Sequence, residues 1–281
     1  MVRVFMCLLF LVWPTFVKGQ TVHDVQTFEH AGVPREYYMH IPDGLEPNAP
    51  LVIVLHGLGG RADKMRYGLH LNRTANTHRF AAVYPQGLPV GRSSAHWNAG
   101  FDFSSVDDVG FLVALKRVLV RRHSLNPRRV FVLGISNGGY MAYRLGCRAS
   151  EEFAGIASVI GTIGGEDWRE CLPRRPIPLM HVHGTEDEMI PYGGIDVWYS
   201  GWGGQPDVPT VVTSWARRLG ASLTPNHTDL ARTTHVRYRN PETAKEVWLY
   251  RLDGFGHDWP NVRTIGYDMT EEIWRFFEAV P

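Results

Sequence analysis

Residues Arg129 to Leu145 read R-V-F-V-L-G-I-S-N-G-G-Y-M-A-Y-R-L. The apolar, β-branched run from Val130 to Leu133 predicts a strand. Gly134-Ile135-Ser136-Asn137-Gly138 predicts a sharp turn, and the residues beyond it favour a helix. A serine at the apex of such a turn is held in a strained backbone conformation. Glycines on either side of it remove Cβ atoms that would collide with the neighbouring strand and helix. The helix N-terminus behind the serine favours a negative charge developing there. G-x-S-x-G alone is a weak pattern, and its plain reading is a glycine-rich turn capped by Ser136. Its position between a strand and a helix is what gives it weight.

Outward from this stretch, short apolar runs recur. Leu51 to Leu55, Phe80 to Tyr84, Ala154 to Ile163, Pro178 to Val182, His235 to Arg239 and Glu246 to Leu252 read as strands, preceded by a strand-like Arg35 to Ile41. Asp63 to His78, Asp107-Asp108 to about His123, Val211 to Leu219 and Met269 to Ala279 read as helices, and residues 20–34 as a lead-in. Strands alternating with helices from Leu51 onward predict an α/β fold with a mostly parallel central sheet covered on both faces. With 281 residues and 44% hydrophobic content, one sizeable core is expected, in a single domain over 20–281.

The ends and the composition narrow the function classes. Arg3 followed by the apolar Val4 to Trp13 and by Val17-Lys18-Gly19 reads as a signal peptide over 1–19, cut before Gln20, too short to span a bilayer. Secretion without stable membrane insertion is expected. Cys7 lies inside the apolar run, so it does not read as a lipid-attachment site. A net charge of +1 with no basic stripe argues against nucleic-acid binding. Two cysteines remain after cleavage, Cys147 and Cys171. In an exported chain an even pair predicts one disulfide, with two buried thiols as the alternative. Asn72-Arg73-Thr74 and Asn226-His227-Thr228 are glycosylation sequons, used only if the host glycosylates. Nine tryptophans and 12% aromatic content suit either a sugar-stacking surface or core packing.

A serine hydroxyl needs a base to take its proton and an acid to orient that base. On a strand–turn–helix nucleophile the chain order is serine, acid, histidine. Asp187 stands just past a later strand, flanked by Glu186 and Glu188, which could replace it. Of thirteen histidines, His227, His235 and His257 follow the acid. His227 lies in a polar stretch and His235 in a strand, whereas His257 sits on a glycine loop between the last strand and last helix. Ser136, Asp187 and His257 are therefore the candidate triad. His56-Gly57-Leu58-Gly59-Gly60 directly follows a central strand, so the N–H groups of Leu58 and Asn137 are candidates for an oxyanion hole. Its plain reading is an ordinary βα turn, and for Asp107-Asp108 the plain reading is helix capping.

Gly134-Ile135-Ser136-Asn137-Gly138-Gly139, His183-Gly184-Thr185 with Asp187 and Pro191-Tyr192, and Gly256-His257 with Trp259-Pro260 resemble a family of secreted serine esterases. It includes polyhydroxybutyrate depolymerases and feruloyl and acetylxylan esterases. His56-Gly57, Tyr84-Pro85-Gln86-Gly87, Trp97 and Asp107-Asp108-Val109-Gly110-Phe111 extend the likeness over nearly the whole chain from about residue 30. The resemblance implies an α/β-hydrolase, the triad above, and a role near the active site for Trp97 and the aspartate pair. Trp198 and Trp202, in the Trp-rich excursion after Asp187, and Trp259 are further candidates for a substrate wall; simple packing is the alternative for the excursion. Many relatives carry extra cysteines near Ala221 and Asn240, and this chain has none, so one disulfide is expected. No appended polymer-binding module is visible, which argues against solid polyester as substrate. Acyl-enzyme ester hydrolysis is the expected chemistry, with no metal or cofactor, since no H-E-x-x-H or comparable ligand spacing occurs. A peptidase on the same fold and a non-catalytic binding protein on a hydrolase scaffold are the alternatives. Acyl and alcohol specificity and oligomeric state are not readable.

Overall fold

The computed structural model describes residues 25–89, 94–100, 104–195, 204–230 and 232–281. The signal-peptide reading and the candidates Trp198 and Trp202 lie outside these residues. In chain order the strands are β1 (Gln26–His30), β2 (Val33–His40), β3 (Leu51–Leu55), β4 (Ala81–Pro85), β5 (Val130–Ile135), β6 (Gly155–Val159), β7 (Leu179–Gly184), β8 (Asn226–Leu230), β9 (Thr233–Arg239) and β10 (Glu246–Leu252). The helices are α1 (Ala62–Gly68), α2 (Leu71–His78), α3 (Asp108–Arg122), α4 (Asn137–Arg148), α5 (Gly165–Glu170), α6 (Val208–Arg218), α7 (Val262–Ile265) and α8 (Met269–Glu278).

The strands form one sheet in the order β1-β2-β4-β3-β5-β6-β7-β10-β9-β8. Its centre, from β4 to β10, is parallel throughout, and antiparallel hairpins close both edges. The central strands are buried on both faces, which is why they read as unbroken apolar runs. Alternation along β3 sends Leu51, Ile53 and Leu55 to the layer of α3, α4 and α6, and Val52 and Val54 to the layer of α1, α2 and α8. All parallel strands point the same way, so the residues that follow β3, β5, β7 and β10 meet at one edge of the sheet.

The expected α/β architecture is present. Local differences have local causes. The helix expected over 63–78 is two helices, because the chain breaks after Gly68 and His70 takes a left-handed conformation (φ 58°). The lead-in contains an edge strand, β1, and the polar stretch around His227 is the exposed edge strand β8. Neither carries an apolar pattern, because an edge strand facing solvent needs none. Asn226 stands on that exposed strand. The side chain of Asn72 is only partly exposed and accepts a hydrogen bond from the Tyr84 hydroxyl at 2.7 Å.

Cys147 and Cys171 are joined, with Cα atoms 5.0 Å apart. The bridge ties α4 to the end of α5, where the buried Asp167 also receives Arg144 and Arg148. A cross-link spanning 24 positions restricts the unfolded chain by about 3 kcal/mol. The Cys147→Ala/Cys171→Ala variant should lose about that much unfolding free energy in urea titrations. Unchanged stability would show that the bridge does not form in solution.

Candidate active site

Ser136 sits between β5 and α4 at φ 53° and ψ −119°, a conformation L-residues rarely adopt. The flanking glycines make it possible. A Cβ on Gly134 would run into the Gly138 carbonyl, and one on Gly138 would run into the Leu55 and His56 carbonyls of the neighbouring strand and its loop. The serine N–H is held by Val159 O at 2.9 Å. This places Oγ at the carboxyl edge of the sheet, 3.0 Å from His257 Nε2. His257 Nδ1 lies 2.7 Å from Asp187 Oδ2. Serine, histidine and aspartate thus come from the ends of β5, β10 and β7, up to 121 positions apart in sequence. The neighbours Glu186 and Glu188 are exposed, whereas Asp187 is 4% exposed.

Burial by itself would raise the Asp187 pKa. Hydrogen bonds from His183, His257 and the Ile190 N–H outweigh burial and hold the carboxyl well below the usual range. Its second oxygen, Oδ1, accepts the Met189 and Ile190 N–H groups at 3.0 and 2.8 Å. The aspartate is thereby fixed as an anion whose Oδ2 faces His257. A histidine between that carboxylate and a serine hydroxyl keeps its proton on Nδ1 and presents a basic Nε2 to Oγ.

Behind Asp187 runs a buried chain of polar groups. His183 Nε2 is 2.7 Å from Ile190 O and 3.4 Å from Asp187 Oδ2; His183 Nδ1 is 3.1 Å from His181 Nε2; His181 Nδ1 is 2.7 Å from the Tyr143 hydroxyl. A carbonyl can only accept, so His183 Nε2 carries the proton. With one proton per ring, His183 Nδ1 then accepts from His181, and His181 accepts from Tyr143. Burial pushes the His181 pKa well below its ordinary value, in keeping with a neutral ring. The whole row delivers N–H and O–H dipoles toward Asp187. Its trace in the sequence is the pair His181 and His183, two apart on an otherwise apolar strand and so on one face.

On the other side of Ser136, His56 is wholly buried. Its Nδ1 donates to Gly57 O at 2.7 Å, and its Nε2 accepts the Gly87 N–H at 2.9 Å. The Gly57–Leu58 turn is therefore held from within. Leu58 borders the cleft in front of Ser136, and Asn137 is the first residue of α4. Trp97 requires a correction. Expected on the substrate wall, it is fully buried, with its indole N–H on His56 O at 3.0 Å and its backbone N–H and C=O bonded to the Asn137 amide at 2.7 and 3.1 Å. Trp97 braces the loop after β3 and the start of α4 from behind. Asp108 extends the brace: it accepts the Asn98 N–H at 2.7 Å and, in a buried pair, Arg35 at 2.7 Å. Asp107 caps α3 through the Gly110 N–H at 2.8 Å, as its plain reading predicted. Only a structure separates these two adjacent aspartates, because their side chains leave the helix start in different directions.

Burial lowers the His56 pKa to about 4 despite the Gly57 hydrogen bond. Between about pH 6.5 and 4 the unfolded chain binds a proton that the folded chain refuses, so stability is complete above that window and falls as pH drops through it. The loss from His56 alone is about 3 kcal/mol, and His181 acts with the same sign. Thermal melts at pH 7.5 and 4.5 should differ by many degrees. Equal melting temperatures would mean that His56 is charged in the native state.

A cleft of about 510 Å³ opens in front of Ser136, bordered by Leu58, Arg61, Met65, Ile160, Met189 and Trp259 among others. Trp259 is thus the one expected substrate-facing tryptophan, among the described residues, that reaches it. Among the described residues no group of three His, Cys, Asp or Glu side chains is placed to hold a metal ion, and no helix is long and apolar enough to cross a membrane.

A serine at a strained strand–helix turn, with acid and histidine at later strand ends of one parallel sheet, defines the α/β-hydrolase class. The family model for esterases of the PHB depolymerase type matches residues 35–173. NocK of Nocardia uniformis subsp. tsuyamanensis, named as an esterase, is 30% identical over 251 residues, covering 82% of this chain and 72% of NocK. Feruloyl esterase B of Piromyces equi is 25% identical over 234 residues, covering 79% of this chain; the chain spans 42% of that longer protein. The acetyl xylan esterase structure from Aspergillus awamori superposes with a TM-score of 0.65 at 13% identity, over 91% of this chain and 99% of the other. The chain belongs to this esterase family, whose members are enzymes of the carboxylic-ester-hydrolase type.

Proposed function

We propose that the protein is a secreted serine esterase that removes feruloyl or acetyl groups from polysaccharides through an acyl-enzyme. The observation that carries this reading is the hydrogen-bonded row Ser136–His257–Asp187 opening into a cleft large enough for an aromatic acyl group. Ser136 Oγ attacks the ester carbonyl as His257 Nε2 takes its proton. The oxyanion is held by the N–H groups of Leu58 and Asn137. His257 then protonates the departing alcohol and activates water for deacylation, while Asp187 stabilises the imidazolium and keeps the ring in register. Secretion is supported by the leader pattern over 1–19 and by the Cys147–Cys171 bridge, which suits an oxidising compartment.

A panel of methyl ferulate, acetylated xylan, hydroxybutyrate oligomers and short p-nitrophenyl esters tests the reading. Serine-dependent turnover favouring the first two supports it. Preference for hydroxybutyrate would move the enzyme to the polyester branch of the family. Inertness toward every ester, with no labelling of Ser136 by a fluorophosphonate, would refute it.

A further inference from the structure

A second hollow of about 300 Å³ lies beside the catalytic cleft, bordered by His70, Trp259, Asn261, Arg263 and Asp268. The two share Gly68, Leu69 and Trp259, so together they form one groove with the Trp259 indole at the junction. Trp259 is held there. Its backbone N–H donates to Asp258 Oδ1 at 2.7 Å and its backbone carbonyl accepts from Asn261 Nδ2 at 3.3 Å. Asn261 is fixed in turn by the capping box that starts α7, accepting the Arg263 N–H at 3.0 Å while Thr264 Oγ1 accepts the Asn261 N–H at 2.9 Å. The Trp259 side chain packs against the core on the α1, α2 and α8 side, and an aromatic surface supported in this way loses little entropy on stacking a ligand.

Two charged groups of this hollow, Arg263 and Asp268, keep bonding capacity to spare among the described residues. Arg263 is exposed and makes no ion pair among the described residues, with Asp268 or any other group. Asp268 Oδ1 accepts from the Thr270 N–H at 2.9 Å and from the Thr270 hydroxyl, and its Oδ2 has no hydrogen-bond partner among the described residues. A carboxylate oxygen accepts hydrogen bonds and needs donors on its ligand, while the guanidinium needs acceptors. Hydroxyl groups are both. Polyester units offer ester oxygens only and would leave Asp268 unmatched.

We propose that this hollow is a sugar subsite, binding the polysaccharide unit next to the esterified one, with Trp259 as stacking platform and Arg263 and Asp268 as hydroxyl partners. The proposal rests on the polysaccharide-esterase reading above and adds where the glycan chain runs: over Trp259 toward α7, away from Asp187.

The test uses xylotetraose and xylose as probes with the full chain, followed by titration calorimetry. It is paired with turnover of p-nitrophenyl acetate and of acetylated xylotetraose. Arg263→Ala removes the donors; Asp268→Asn keeps the cap on α8 and removes the charge. Wild type should bind xylotetraose at least tenfold more tightly than xylose, and each variant should weaken xylotetraose binding about tenfold, the size of a lost hydrogen bond to a charged group. Turnover of p-nitrophenyl acetate should not change, and the loss on acetylated xylotetraose should fall on KM. Equal binding of the two sugars, variants that bind like wild type, or displacement of xylotetraose by a hydroxybutyrate trimer would overturn the subsite. Xylotetraose binding without ester turnover would overturn the esterase reading and leave the subsite standing. Ester turnover without chain-length dependence would do the reverse.

Discussion

Ser136→Ala is expected to lower kcat by about 10⁵- to 10⁶-fold while leaving KM and the fold nearly unchanged. Among the described residues the hydroxyl removed makes one hydrogen bond, to His257 Nε2 at 3.0 Å, and Ser136 borders the cleft, so no buried group is orphaned. Alanine keeps a Cβ, so the positive φ and its strain persist. The backbone bonds that set the turn, Ser136 N–H to Val159 O and Gly139 N–H to Ser136 O, are untouched. The melting temperature should therefore stay within a degree or two, as for substitutions that remove no packing. Residual turnover would come from oxyanion stabilisation and binding alone. A variant retaining more than about a tenth of the wild-type kcat on p-nitrophenyl acetate would remove Ser136 as nucleophile, since such a loss amounts to about 1.4 kcal/mol or less.

Asp187→Asn is expected to cost about 10³- to 10⁴-fold in kcat, or about 4–5 kcal/mol of transition-state stabilisation. The surroundings dictate how. Oδ1 accepts from two backbone N–H groups, Met189 and Ile190. The amide oxygen of asparagine must stay there, because an NH2 group facing two donors would be repelled. The NH2 is then turned toward His257 Nδ1. That nitrogen can only accept from it, so the ring proton moves to Nε2 and points at Ser136 Oγ, where a base is required. The same NH2 also meets the His183 Nε2–H, so some loss of stability accompanies the loss of rate. Asp187→Glu would not rescue, since the longer side chain displaces the carboxylate from both N–H groups. Steady-state kinetics and the imidazole ¹⁵N shifts of His257 check the account. A variant slowed less than about tenfold, or one with Nδ1 still protonated, would assign the acid elsewhere, with Glu186 and Glu188 next in line.

Much of this was legible from residue order. The strand–turn–helix around Ser136, the apolar run before the His56-Gly57 loop and the order serine, aspartate, histidine each follow from local chemistry repeated at strand ends. Sequence could not separate Asp187 from its glutamate neighbours by composition. The structure does so because the turn buries Asp187 and leaves Glu186 and Glu188 exposed, and the buried carboxylate receives the Met189 and Ile190 N–H bonds. The tryptophans behaved oppositely. Trp97 and Trp259 look alike in sequence, each beside a histidine or an aspartate, yet one is enclosed behind the loop after β3 and the other stands at the groove. Burial of an aromatic depends on what the rest of the chain lays over it.

The sequence by itself determined the central strands and main helices, the mostly parallel α/β class, the nucleophile turn and the chemical types at the site, since these follow from periodicity, glycine placement and side-chain reactivity within a few residues. Only the tertiary structure decided the contacts between distant positions. These are the His181–His183–Tyr143 row behind Asp187, the Arg35–Asp108–Asn98 brace behind Trp97, and the continuation of the cleft past Trp259 to Arg263 and Asp268. Such groups are brought together by sheet order and helix packing, and their hydrogen-bond geometry is set by distances that no local pattern encodes.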